Sequence, residues 1–284
     1  MPPERIELPF SGSKPGVLSI KLWRRNLADC SLQCISGEPF CQSVMSELLK
    51  QLKSDLRGRA GAGKAESLRR FFKTGAGEYG YGDKFLGVVV PDQREIAKKY
   101  FSSLSLKETE ELLRGVFHEE RLTALLIMVL KFAGGSAGEK ERIFKIYLKN
   151  LRHVNNWDLV DLSAPKIVGA YLSDKDKNIL SRLSRDKHLW SRRVAIISTF
   201  YFISRGECAW TMKIAKILLR DKHDLIHKAV GWMLREAGKR RGREIERKFL
   251  DKHAARMPRT MLRYAIEKFS PAERKKYLSK KSFA

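Results

Sequence analysis

Cysteine is scarce in this 284-residue chain, at 4 residues, and proline numbers only 9. Cys30, Cys34 and Cys41 stand without a fourth ligand at helical or knuckle spacing. That excludes a zinc module and a disulfide scaffold, and it points to a reducing compartment. Long apolar runs are also missing. The longest, Ala124 to Leu130, has 7 residues, against the ~20 that cross a bilayer. Residues 1–10 hold three prolines and three charges instead of a basic-then-apolar signal segment. Val88, Val89 and Val90 form the one strong β-branched run, and Pro91 after them reads as a first-turn helix residue. Strand content is therefore expected to be negligible. These absences exclude secreted, membrane-spanning and β-rich classes and leave a soluble, cytoplasmic chain.

Acidic residues are in short supply, 32 against 57 lysines and arginines, for a net charge of +25. The imbalance is local: residues 1–44 carry +1, residues 45–181 carry +6 and residues 182–284 carry +18. A surplus gathered in one third of a chain points to a polyanion, most often nucleic acid and less often an anionic membrane. The plainer alternative is a solubilising surface.

Residues 1–44 are rich in proline and cysteine and show no sustained helical period. They are expected to form a poorly ordered extension ahead of a domain spanning 45–284, which Met45 opens with an amphipathic run. Apolar residues then recur at helical spacing over 106–116, 120–132, 141–151, 193–203, 212–219, 225–234 and 245–250. The helices also repeat. Arg121, Asn156, Arg192, His227 and Leu262 are separated by 35, 36, 35 and 35 residues, and the third residue beyond each is Ala124, Leu159, Ala195, Val230 or Ala265. Such a period predicts an all-α fold, an α-solenoid of HEAT-like helix pairs.

The register predicts a face. Residues one and five positions beyond each anchor lie i, i+4 apart and share one side of their helix. The pairs are Leu122/Leu126, Trp157/Asp161, Arg193/Ile197, Lys228/Trp232 and Arg263/Glu267. Equivalent helices of a solenoid line its concave surface, so this column predicts a basic groove carrying Trp157 and Trp232. Cations in such a groove meet phosphates while flat rings meet sugars or bases. Asp161 is the exception, since a carboxylate repels the phosphates that the groove attracts. Either it pairs with Arg193 on the next helix, or it faces a positive charge that develops during a reaction. Asp158 sits ~100° around the helix and is expected to point elsewhere, as a cap.

Other motifs fail on their context. Gly58-Arg-Ala-Gly-Ala-Gly-Lys64 has the outline of a phosphate-binding loop, but Ala65 stands where a Ser or Thr must hold Mg²⁺. Gly75 to Gly80 spells GxGxxG without a preceding strand and reads as a turn. No metal is expected at the histidines, His118 among them. Ser198 has no base in register. The basic tail Arg274–Lys276 with Lys280 and Lys281 reads as a solvated face.

Asn155–Pro165, Leu189–Ile196 and His227–Glu236 resemble motifs of the DNA alkylation repair family of HEAT-like (AlkD-type) DNA glycosylases, collinearly from about Met45 to Leu278. The resemblance implies a monomeric, cofactor-free enzyme that excises cationic N7-alkylguanine and N3-alkyladenine from double-stranded DNA, acting from outside without a base pocket. It makes Asp161 the catalytic aspartate, sets Trp157 and Trp232 beside the lesion, and makes Arg193 the groove arginine. Arg193, Lys228, Arg235 and Arg263 are then the expected DNA contacts. A non-catalytic scaffold for damaged or branched nucleic acid stays open as the alternative.

Overall fold

The computed structural model describes residues 39–279, with side chains from residue 47. Most of the extension expected over 1–44 lies outside the described residues, as do Cys30, Cys34, the side chain of Cys41, Lys280 and Lys281. Helix α1 begins at Pro39, ahead of Met45, and runs as Pro39–Gly58. The chain continues through α2 (Ala62–Phe71), α3 (Val90–Tyr100), α4 (Leu106–Leu113), α5 (His118–Gly134) and α6 (Ala137–Lys149). Next come α7 (Trp157–Ala164), α8 (Asn178–Leu183), α9 (Leu189–Ile197), α10 (Thr199–Ser204) and α11 (Ala209–Ile217). The last are α12 (Asp224–Arg241), α13 (Arg243–His253), α14 (Arg259–Ala265) and α15 (Pro271–Leu278). Among the described residues the one β feature is an isolated bridge between Lys84 and Phe117, and no helix is long and apolar enough to cross a membrane.

The repeat is visible in the packing. Helices α5, α7, α9, α12 and α14 contact one another in that sequence, and Ala124, Leu159, Ala195, Val230 and Ala265 are all fully buried in them. Small or apolar side chains at this position let successive helices approach. The anchors do a second job. Arg121 donates to the carbonyl of Gly115, and Arg192 to that of Asp186, both at 3.0 Å; His227 Nε2 lies 2.5 Å from the carbonyl oxygen of Asp221. In each case the carbonyl belongs to the residue six positions earlier, so one clasp closes the entry turn of three repeats.

Departures from the expected helices have local causes. The helix expected over 193–203 breaks at Ser198, where the Thr199 hydroxyl takes the Ile196 carbonyl at 2.7 Å in competition with the backbone. Helix α7 is short because Pro165 has no N–H; the chain passes there into a π-helical turn, Pro165–Gly169. Helix α12 runs past 234 until Gly242, whose φ of 101° ends it.

Gly231 sets the approach of α12 to α14. A Cβ there would stand 2.5 Å from both the Met261 carbonyl oxygen and Tyr264 Cβ, atoms that no side-chain rotation can move aside. Alanine would gain ~1 kcal/mol in helix propensity, while overpacking costs ~1–3 kcal/mol. Gly231→Ala is therefore expected to lower the thermal midpoint by roughly 2–6 °C. An unchanged or raised midpoint would show that the helices are not held at this distance.

Candidate active site

Helix α7 begins at Trp157 because Asn156 precedes it as an extended cap, its side-chain oxygen accepting from the Trp157 N–H at 2.8 Å. Trp157 and Asp161 then fall one turn apart on the same face. Asp161 is held by Arg193 of α9: Nε donates to Oδ1 at 2.9 Å and Nη2 to Oδ2 at 2.7 Å. The remaining terminal nitrogen, Nη1, donates to the Leu225 carbonyl in the first turn of α12 at 2.6 Å. One guanidinium thus ties three successive repeats. Burial pushes the Asp161 carboxyl above its ordinary value and the charge and hydrogen bonds of Arg193 oppose that rise. Both oxygens accept N–H bonds from the guanidinium, an arrangement that fits the carboxylate form.

Of the two alternatives for Asp161, the pairing with Arg193 is present. Arg193, expected among the DNA contacts, is only 5 % exposed, and its Nε, Nη1 and Nη2 all donate to protein acceptors. The other expected cations are more open. Lys228 pairs with Asp224 at 2.7 Å, Arg235 pairs with Glu267, and Arg263 is exposed and, among the described residues, outside any ion pair. Trp232 is half-buried with its ring centroid 6.1 Å from that of Phe200.

Sequence reasoning missed the loop between α2 and α3, which packs against Trp157. The Phe72 and Phe71 ring centroids lie 5.4 Å and 5.9 Å from that of Trp157. Tyr79, inside the GxGxxG stretch, stacks edge-on against Trp190 at 6.2 Å. Burial raises the Tyr79 hydroxyl above its ordinary value, against a hydrogen bond from Trp157 and the charge of Lys228. The turn is thus fixed beside the column. Gly87, at φ 87°, lies so close to Gly61 that no side chain fits.

Asp158 also departs from expectation. It caps locally, accepting from the Leu159 N–H at 2.9 Å, but its other oxygen lies 2.8 Å from His118 Nε2. His118 Nδ1 is 3.1 Å from Asp83 Oδ2, and Arg121 donates to the second oxygen of Asp83. Burial opposes a charge on His118, yet Asp158 and Asp83 outweigh it and hold the imidazole up to about 9. The two carboxylates take opposite nitrogens of one ring, so they share no point where a metal could sit. A sequence signal did exist. Helix α5 is apolar nearly all round after His118-Glu-Glu-Arg121, and charges opening a fully buried helix must be paired.

The sequence matches the family model described as "DNA alkylation repair enzyme" over residues 52–269. A solved structure of a predicted DNA alkylation repair enzyme from Enterococcus faecalis superposes with a TM-score of 0.59 at 14 % identity, covering 75 % of this chain and 98 % of the other. At that identity the likeness is one of fold. Among curated proteins none matches the sequence.

The Asp161–Arg193 pair makes a quantitative prediction. Arg193→Ala would strand a largely buried carboxylate and is expected to cost up to ~3–5 kcal/mol in chemical denaturation. Adding Asp161→Asn should recover part of that loss, giving a coupling energy above ~1 kcal/mol in a double-mutant cycle. Strict additivity would mean that the pair is not formed in solution.

Proposed function

The chain belongs to the DNA alkylation repair enzyme family, and on that premise we propose that it is a DNA glycosylase hydrolysing the N-glycosidic bond of cationic N7-alkylguanine and N3-alkyladenine. The observation that carries this reading is the carboxylate of Asp161, oriented by Arg193 and sharing a helical face with Trp157. A purine alkylated at N7 or N3 bears a formal positive charge and leaves without protonation, so the reaction asks for neither a general acid nor a Lewis acid. What it asks for is stabilisation of the positive charge that develops on the deoxyribose.

Asp161 supplies that stabilisation in this reading. Its side chain is 11 % exposed, enough to present an edge outward while the paired guanidinium fixes its direction. Arg193 is then the orienting residue of the pair. Asp161 also directs the attacking water. The faces of Trp157 and Trp232 would each add ~0.5–2 kcal/mol toward a cationic sugar or base. Lys228, Arg235 and Arg263 hold the flanking phosphates, and the protein works as a monomer on double-stranded DNA. The same ion pair favours a second reading, in which Asp161 is an internal strut of a non-catalytic scaffold for damaged or branched nucleic acid.

Two measurements test this. The logarithm of DNA affinity should fall against the logarithm of salt concentration with a slope of about −0.9 per phosphate contacted. Alanine at Lys228, Arg235 or Arg263 should flatten it by roughly one unit each; a slope unchanged in all three would put DNA on another surface.

The second measurement is release of free 7-methylguanine from methylated DNA. Asp161→Asn is expected to slow it by about 10²–10³, compared at a temperature where both proteins are fully folded. Because the carboxyl is held above its ordinary value of 3.8, activity should be lost on acidification at a higher pH than that value. Asp158→Asn is not a neutral control, since Asp158 holds His118. A folded Asp161→Asn that releases base at the parent rate removes Asp161 from the mechanism, and a parent that releases none favours the scaffold.

A further inference from the structure

Asp83, His118, Arg121 and Asp158 are 8 %, 2 %, 5 % and 8 % exposed, and the mechanism above uses none of them. A neutral imidazole carries one N–H and can donate to only one of the two carboxylates that flank it, whereas the imidazolium donates to both. With His118 charged, the cluster holds two cations and two anions. With His118 neutral, it buries an excess negative charge, which is strongly unfavourable. The groups facing the ring from each element agree with this count. The loop after α2 contributes Asp83 and α7 contributes Asp158, with Asp161 one turn further on. Within α5, Arg121 takes Asp83. Glu119 turns away to accept from the Leu86, Gly87 and Val88 N–H groups, and Glu120 faces Arg57 at 3.9 Å.

The cluster reaches Trp157 by two routes. Asp158 is its chain neighbour in the first turn of α7, so anchoring that carboxylate fixes the rotation of the turn. Phe72 is the second route: its ring centroid lies 5.0 Å from that of His118 and 5.4 Å from that of Trp157, and Phe85 stacks on the imidazole at 4.7 Å. We propose that His118, clamped as an imidazolium between Asp83 and Asp158, is the positioning residue that sets the Trp157 indole at the reaction site. The geometric part stands on its own; the catalytic consequence rests on the function proposed above.

The sign of the pH effect follows. His118 is held above its ordinary 6.5, up to about 9, so the clamp's contribution is complete below the ordinary value and is lost as pH rises through about 9. Tyr79, already held above its ordinary 10.0, titrates later.

The full chain labelled with 5-fluorotryptophan tests the proposal by ¹⁹F NMR, with the Trp157 resonance assigned by its loss in Trp157→Phe. That resonance is expected to shift between about pH 7 and 10 with a midpoint near 9. In His118→Gln it should be displaced and no longer titrate. Single-turnover release of 7-methylguanine at saturating enzyme should slow about 10- to 100-fold in the same variant, with DNA affinity unchanged, as for a misplaced contact group. Asp83→Asn is the milder second variant and should shift the midpoint downward. A Trp157 resonance that does not move with pH in the parent overturns the clamp. So does a His118→Gln protein whose rate falls only with its unfolded fraction. If the parent releases no base, the glycosylase reading fails while the ¹⁹F titration still decides the clamp.

Discussion

The guanidinium of Arg193 is the contact on which the site depends. It is rooted in α9, neutralises a carboxylate on α7 and closes a carbonyl on α12. A lysine could make one of these contacts, but its point charge lacks the planar fork that makes three. Helices related by the repeat are held in register by apolar packing, which is tolerant of small slides. The fork is not, since a displacement of about 1 Å breaks its hydrogen bonds. Orientation of the Asp161 carboxylate and alignment of the three repeats are therefore one constraint.

This arrangement redistributes the positive charge. Within the column Arg193 and Lys228 each answer to an acidic partner, as does the neighbouring Arg235, while Arg263 is exposed and, among the described residues, outside any ion pair. Among the described residues, cations outside any ion pair also lie further out, for example Lys239 and Arg241 at the end of α12, both exposed. Both close α12, where its macrodipole favours cations. In the proposed reading, long-range attraction of a polyanion falls to cations other than Arg193, whose charge is already matched by Asp161.

Much of this was legible in the sequence, for reasons that can be named. The 35-residue spacing located five equivalent helices because one position per repeat had to be small or apolar, and Ala124, Leu159, Ala195, Val230 and Ala265 all obey it. The i, i+4 rule put Trp157 and Asp161 together because both lie on one helix. What escaped was the His118 cluster, closed over a distance. Asp83 and Asp158 lie 35 and 40 residues from His118, and no local pattern joins them. Arg193 could be assigned to phosphate or to Asp161 with equal logic, because the choice depends on which way a long side chain turns. The GxGxxG stretch reads as a turn in the sequence and is one, but the packing of its Tyr79 against Trp190 has no periodic signature.

The clasps that close the repeats bear on how the molecule comes apart. Arg121, Arg192 and His227 each bond a carbonyl only six residues back, so an entry turn is fastened by its own repeat and not by distant chain. Asn156 instead caps its own helix, and Leu262, the anchor of α14, has no polar group to offer. In a linear array coupled only through neighbours, opening proceeds unit by unit from the ends. The C-terminal repeat, fastened by apolar burial alone at its anchor, is then the natural fraying end. The repeats bearing Asp161, Arg193 and Trp232 lie inward of it and stay closed while it breathes.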